Sequence, residues 1–143
     1  MKKLEPVFTA PSKSDEAAFY RELEIDVLAR TIWGEARGEG SAGMQAVANV
    51  IMTRVRRGGW WGDSIVVVCQ KPRQFSCWNK DDPNYRRVLA VDEGDLYFVT
   101  ARRMARRAVC GALPDLTAGA AHYHAAGGLP FWGKGEGPVA VVG

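Results

Sequence analysis

The sequence predicts a mainly α-helical single domain, α+β at most, and three observations carry that expectation. Apolar residues recur at helical spacing in two long stretches, Ala18 to Ile32 and Met44 to Val55. Glycine clusters punctuate the chain between them. At 143 residues the chain falls in the usual size range for one hydrophobic core.

Residues 1–13 hold Pro6, Pro11 and several charges without apolar periodicity, so they read as a flexible arm preceding a domain over residues 14–143. Ala18, Phe19, Leu23, Val27, Leu28 and Ile32 then define a long helix from about Asp15 to about Glu35, with Ser12 or Ser14 as the N-cap. Gly38-Glu39-Gly40 ends it, because glycine tolerates the left-handed backbone that closes helices. A second helix, Ser41 to about Arg57, follows from the stripe Met44, Val47, Ala48, Ile51 and Val55. Its last turn carries Arg54, Arg56 and Arg57, where cations suit the helix dipole.

Gly58-Gly59 and Gly62 mark a turn around Trp60 and Trp61. Asp63 to Cys69 is ambiguous: its β-branched content suggests a strand, and a short helix capped by Asp63 fits equally. Residues 70–84, with Pro72, Pro83 and many polar groups, read as a long ordered loop of the kind that often carries function. A third long helix should begin near Asp92 or Asp95 and end at Gly111, while the glycine-rich stretch from Gly119 to Gly143 has no period.

Composition narrows the function classes. Apolar residues at 47% and charged residues at 24% set aside disordered and fibrous chains. A formal charge of +3 is too mild to demand nucleic acid, and Arg102, Arg103, Arg106 and Arg107 read as a solvated helix face. Cys69, Cys77 and Cys110 show no C-x-x-C spacing, so no metal cage is expected. Cys69 and Cys77 lie close enough for a local disulfide in an oxidising compartment, but buried thiols are the expected state. Lys2 and Lys3 are followed by Leu4-Glu5-Pro6 rather than an apolar run, and Ile65 to Cys69 is far short of the roughly 20 residues of a membrane span. Neither a secretory leader nor membrane insertion is expected. A substrate outside the inner membrane would then require a release protein of the holin type.

The segment Trp33-Gly34-Glu35-Ala36-Arg37-Gly38-Glu39-Gly40 is the most informative. It puts a carboxylate at the end of an apolar helix, where the negative dipole end and burial against groups such as Trp33 both disfavour ionisation. A glutamic acid kept protonated is suited to donating a proton to a glycosidic oxygen. The plainer alternative makes Glu35 and Arg37 surface residues near a helix end.

These residues resemble a known family. Glu35-Ala36-Arg37-Gly38-Glu39, then Ala46-Val47-Ala48-Asn49-Val50-Ile51 and Arg54-Val55, are similar to the cell wall hydrolases typified by spore cortex-lytic enzymes. Ser64-Ile65 leading to Gln74-Phe75-Ser76-Cys77-Trp78, and Asp115-x-Thr117-x-Gly119-Ala120-x-His122-Tyr123-His124, match later blocks in order, so the likeness covers about residues 25–132. It implies a lysozyme-like catalytic domain acting as a monomer on peptidoglycan, between N-acetylmuramic acid and N-acetylglucosamine, with Glu35 as the acid and Glu39 in support. A catalytic domain without leader or wall-binding module looks more like a phage endolysin, made in the cytoplasm and acting on the wall after release.

With one well-placed carboxylate, lytic transglycosylation is favoured over lysozyme-type hydrolysis, which ordinarily uses two. A wall-binding module without activity is the alternative of a different class. Gln74, Ser76, Asn79, His122, Tyr123 and His124 would hydrogen-bond the sugars, with Phe75, Trp78 and Trp132 as apolar faces, although Phe75 and Trp78 serve equally well as core. His122 and His124 lack a third placed ligand, so neither metal nor cofactor is expected.

Overall fold

Ser12 opens the first helix. Its hydroxyl accepts from the backbone N–H of Asp15 at 3.2 Å, and the Asp15 carboxylate accepts from the Ser12 N–H at 3.2 Å, a reciprocal cap that satisfies two otherwise orphan donors. In the computed structural model, which describes residues 10–122, helices make up 66% of the described residues and no strand occurs among them. The elements are α1 (Lys13–Ala36), α2 (Gly40–Arg57), α3 (Ile65–Gln70), α4 (Asn84–Ala90) and α5 (Leu96–Val109). Two 3-10 turns, Gly59–Trp61 and Ser76–Trp78, interrupt the loops.

The centre of the molecule is the C-terminal half of α1. Ile25, Leu28, Ala29 and Ile32 are fully buried there, whereas the first turns of the same helix are exposed, with Phe19 at 67% and Tyr20 at 62%. The apolar stripe read from Ala18 onward therefore meets the core only from Leu23. α5 packs most extensively on α1, and its buried stripe of Phe98, Ala101, Ala105 and Ala108 explains the closeness, since alanines let two helix backbones approach. α2 adds Met44, Val47, Ala48 and Ile51 to the same core.

α3 resolves the ambiguous segment as a helix. Ile65, Val68 and Cys69 are its buried residues, a spacing of three and four rather than the alternation of a strand. Its cap is Ser64, whose hydroxyl accepts from the Val67 N–H at 3.2 Å, not Asp63, which is exposed. α4 is not anticipated by periodicity, because seven residues with one buried side chain, Val88, leave no repeat to detect. A long-range contact holds it: Arg30 on α1 donates to the carbonyls of Val88 at 2.6 Å and Val91 at 3.0 Å, closing its C-terminal end. The third long helix begins as expected, with Asp95 accepting from the Phe98 N–H at 3.1 Å.

Cys69 and Cys77 are buried free thiols and Cys110 is an exposed one. Burial pushes the Cys69 thiol up to about 12, against the opposing pull of a hydrogen bond with Thr31 and the charge of Arg54. Among the described residues no helix is long and apolar enough to cross a membrane.

Candidate active site

Glu35 lies in the last turn of α1, half-buried, with Gly34 and Ala36 on either side. Its Oε1 accepts from the backbone N–H of Cys77 at 3.4 Å, which joins the end of α1 to the Ser76–Trp78 turn. The Cys77 thiol faces the same carboxylate: burial raises its pKa first, and the charge and hydrogen bond of Glu35 raise it further. The thiol is therefore a neutral hydrogen-bond donor beside Glu35.

The helix end is braced from the side. Arg37 donates to the carbonyls of Trp33 and Gly34, each at 3.3 Å, and to Asn84 Oδ1 at 2.8 Å, while its guanidinium lies 4.2 Å from the Trp33 ring centre. Trp33 in turn donates from its indole to Asp95 Oδ1 at 3.1 Å, so the cap of α5 and the end of α1 share a side chain. Arg37 thus plays the part of a helix-end cation, adding a second donor to the Trp33 carbonyl, which its own backbone N–H already reaches, and one to that of Gly34.

The second cluster is built by α2. Gln45 and Asn49 donate to the Pro114 carbonyl at 2.8 and 3.0 Å, Arg54 to Ala121 O at 2.8 Å and Arg57 to Gly119 O at 3.0 Å. Asn49 Oδ1 also accepts from the Leu116 N–H at 2.9 Å. The Asp115-x-Thr117-x-Gly119 pattern folds on itself: Asp115 accepts from the Thr117 N–H at 2.8 Å, the Thr117 hydroxyl at 2.6 Å and the Gly119 N–H at 2.9 Å. This strap delivers exposed His122 to Trp61, with the rings edge-on at 6.0 Å. Arg54, buried at 5% exposure, places its guanidinium 5.9 Å from the Trp61 ring centre and 5.2 Å from that of Phe75. Through Arg54 the His122 cluster reaches the residue just before the Ser76–Trp78 turn.

The anticipated sugar contacts separate accordingly. Ser76 is exposed and Gln74 half-buried beside that turn, and Glu39 is exposed at the break between α1 and α2. Phe75 is 1% exposed and belongs to the core, so its ring has no free face to offer a ligand. Trp78 is half-buried and its indole donates to the Thr31 hydroxyl at 2.8 Å, a structural tie to α1. Tyr123, His124 and Trp132 lie outside the described residues. Among the described residues no group of three or more His, Cys, Asp or Glu side chains is arranged to hold a metal ion. Thr31 goes unnamed in the sequence reading, and Gly34, Arg37 and Cys77 appear there only within their motifs or as a thiol, without a part in the site. The signal for Gly34 was nevertheless there: a glycine inside a helix costs about 1 kcal/mol relative to alanine, and something must require it.

A family model described as Cell Wall Hydrolase matches residues 38–143, starting just past Glu35. A spore cortex-lytic enzyme of Halalkalibacterium halodurans is 34% identical over 108 residues, covering 74% of this chain and 28% of that protein. Another of the same description, from Bacillus cereus, is 31% identical over 106 residues, covering 73% of this chain and 35% of the relative. The chain therefore spans about a third or less of the length of these relatives. No solved structure matches it.

Proposed function

Starting from the premise that the chain belongs to the cell wall hydrolase family, we propose that it cuts the glycan strands of peptidoglycan at the bond between N-acetylmuramic acid and N-acetylglucosamine, with Glu35 as the acid. The observation that carries this reading is the Glu35 carboxyl itself, half-buried at the end of a rigid core helix and hydrogen-bonded by the Ser76–Trp78 turn. A proton donor must be held still relative to the bond it breaks, and a group fixed between two packed elements meets that need. Ser76, Gln74 and His122 are the described polar groups we assign to the sugars. A lysozyme-like arrangement is the frame this chemistry implies.

We assign the reaction to lytic transglycosylation. Glu35 gives its proton to the glycosidic oxygen as the bond from that oxygen to the muramoyl anomeric carbon breaks. The resulting carboxylate then takes the proton of the muramoyl 6-hydroxyl as its oxygen closes on that carbon, so no water is consumed and the product carries a 1,6-anhydro end. One carboxylate serves both steps, whereas hydrolysis with two calls for a partner across the groove. A role as an endolysin-like enzyme acting on the wall, released by a partner protein, belongs to the same proposal.

Digestion of purified sacculi followed by mass spectrometry tests both levels. The expected products are muropeptides with intact stem peptides and anhydromuramic ends, and Glu35→Gln should lower their release by at least about a hundredfold. Reducing muramic acid termini would move the enzyme to the lysozyme-type class and send the search for a second carboxylate to Glu39 or Asp63. A folded Glu35→Gln variant with undiminished clearing would remove Glu35 from the chemistry.

A further inference from the structure

Gly34 occupies the last turn of α1 where any side chain would collide. A Cβ there would lie 2.8 Å from Cys77 Cβ, 2.9 Å from Cys77 Sγ and 2.8 Å from Val88 Cγ2. The glycine is thus the condition for the turn's close approach to the helix, at the residue adjacent to Glu35. One helical turn earlier, the Thr31 hydroxyl donates to Val27 O at 2.7 Å and accepts from the Trp78 indole at 2.8 Å. These contacts fix the turn to α1 at Cys77, which is 1% exposed, and at Trp78, and they leave the Cys77 backbone N–H directed at the Glu35 carboxyl with the thiol beside it.

We propose that the Ser76–Trp78 turn aims the Glu35 carboxyl, with Cys77 as its positioning residue. A glutamate side chain at a helix end has three rotatable bonds, and the Cys77 N–H and side chain, on a separate, docked element, select one arrangement of them. Fixing that arrangement before substrate arrives removes an ordering cost from the reacting complex. Cys77 acts through Glu35 and forms no bond to the glycan. The proposal rests on Glu35 being the acid, and its test is arranged to separate the two.

The experiment compares Cys77→Ala, Cys77→Ser, Glu35→Gln and the double variant Glu35→Gln with Cys77→Ala, following muropeptide release from purified sacculi and thermal melting. Cys77→Ala should lower kcat roughly tenfold or more with apparent KM within about twofold, and Cys77→Ser, which keeps a donor, should recover most of the loss. In the Glu35→Gln background Cys77→Ala should change the residual rate less than about twofold, because its effect passes through the missing carboxylate. An equal loss in both backgrounds, or a Cys77→Ala variant with wild-type kcat, overturns the proposal while leaving Glu35 in place. A fully active Glu35→Gln defeats the underlying assignment instead. Should Cys77→Ala fail to fold, Thr31→Val releases the Trp78 tie without touching Cys77; it should likewise lower kcat and spare KM, and wild-type kcat there overturns the proposal.

Discussion

Asp115 is exposed, yet three donors converge on its carboxylate, and the hydrogen bond from the Thr117 hydroxyl does most to hold its pKa below the ordinary value of 3.8. A group depressed in the folded state stabilises above its unfolded pKa, and that contribution is lost as pH falls through the folded value. The melting temperature should therefore decline below about pH 4, and Asp115→Asn should flatten that decline; calorimetry in a pH series decides it. The same residue shows what a pattern can and cannot tell. Aspartate, threonine and glycine at alternate positions carry a turn in their chemistry, because a short carboxylate reaches the amides two and four residues ahead. The place of Glu35 at the end of α1 was legible in a similar way, from a carboxylate closing an apolar helix. Cys77 was not, since no local spacing announces that a thiol 42 residues downstream will be packed against that carboxylate.

At the scale of elements, α2 works on both faces. One is core; the other carries Gln45, Asn49, Arg54 and Arg57 to the backbone of residues 114–121. Asn49 is 5% exposed and both accepts and donates there, so its removal strands the Leu116 N–H and leaves the Pro114 carbonyl to Gln45 alone. Asn49→Ala should cost about 1–3 kcal/mol and expose the strap to limited proteolysis between Leu113 and Ala121, mapped by mass spectrometry of the fragments. A melting temperature unchanged from wild type would show that Gln45 and the arginines hold the strap without it. The long helices α1, α2 and α5 could be read in advance because each repeats its apolar positions over several turns and carries its own terminators. α3 could not be decided by composition, as Ile65, Val66, Val67 and Val68 suit a strand as well as a buried helix; the Ser64 cap and the packing against α1 decide it. α4 depends on Arg30, 58 residues away from Val88, and long-range support of that kind has no local signature.

Across the whole molecule stability is unevenly spread along α1. Residues 13–22 of the helix are exposed, tied mainly by Glu22, which receives Arg106 at 3.1 Å and Arg102 at 3.9 Å; exposed pairs of this kind contribute little. Ser12→Ala should therefore speed amide exchange over residues 13–20 while shifting the global melting temperature by no more than about 1 °C, because those turns open without the core. Slowed folding or a large drop in melting temperature would mean that the exposed turns belong to the cooperative unit. The buried half of α1 is the opposite case, and its main partner α5 is the last helix of the described chain. On a ribosome adding about 5–20 residues per second, the apolar face of α1 waits on the order of several seconds before Leu96–Val109 exists to cover it. The Glu35 carboxyl waits as well, without its Cys77 partner until the Ser76–Trp78 turn has been made, so a nascent chain carries this carboxyl long before it carries the contacts that surround it.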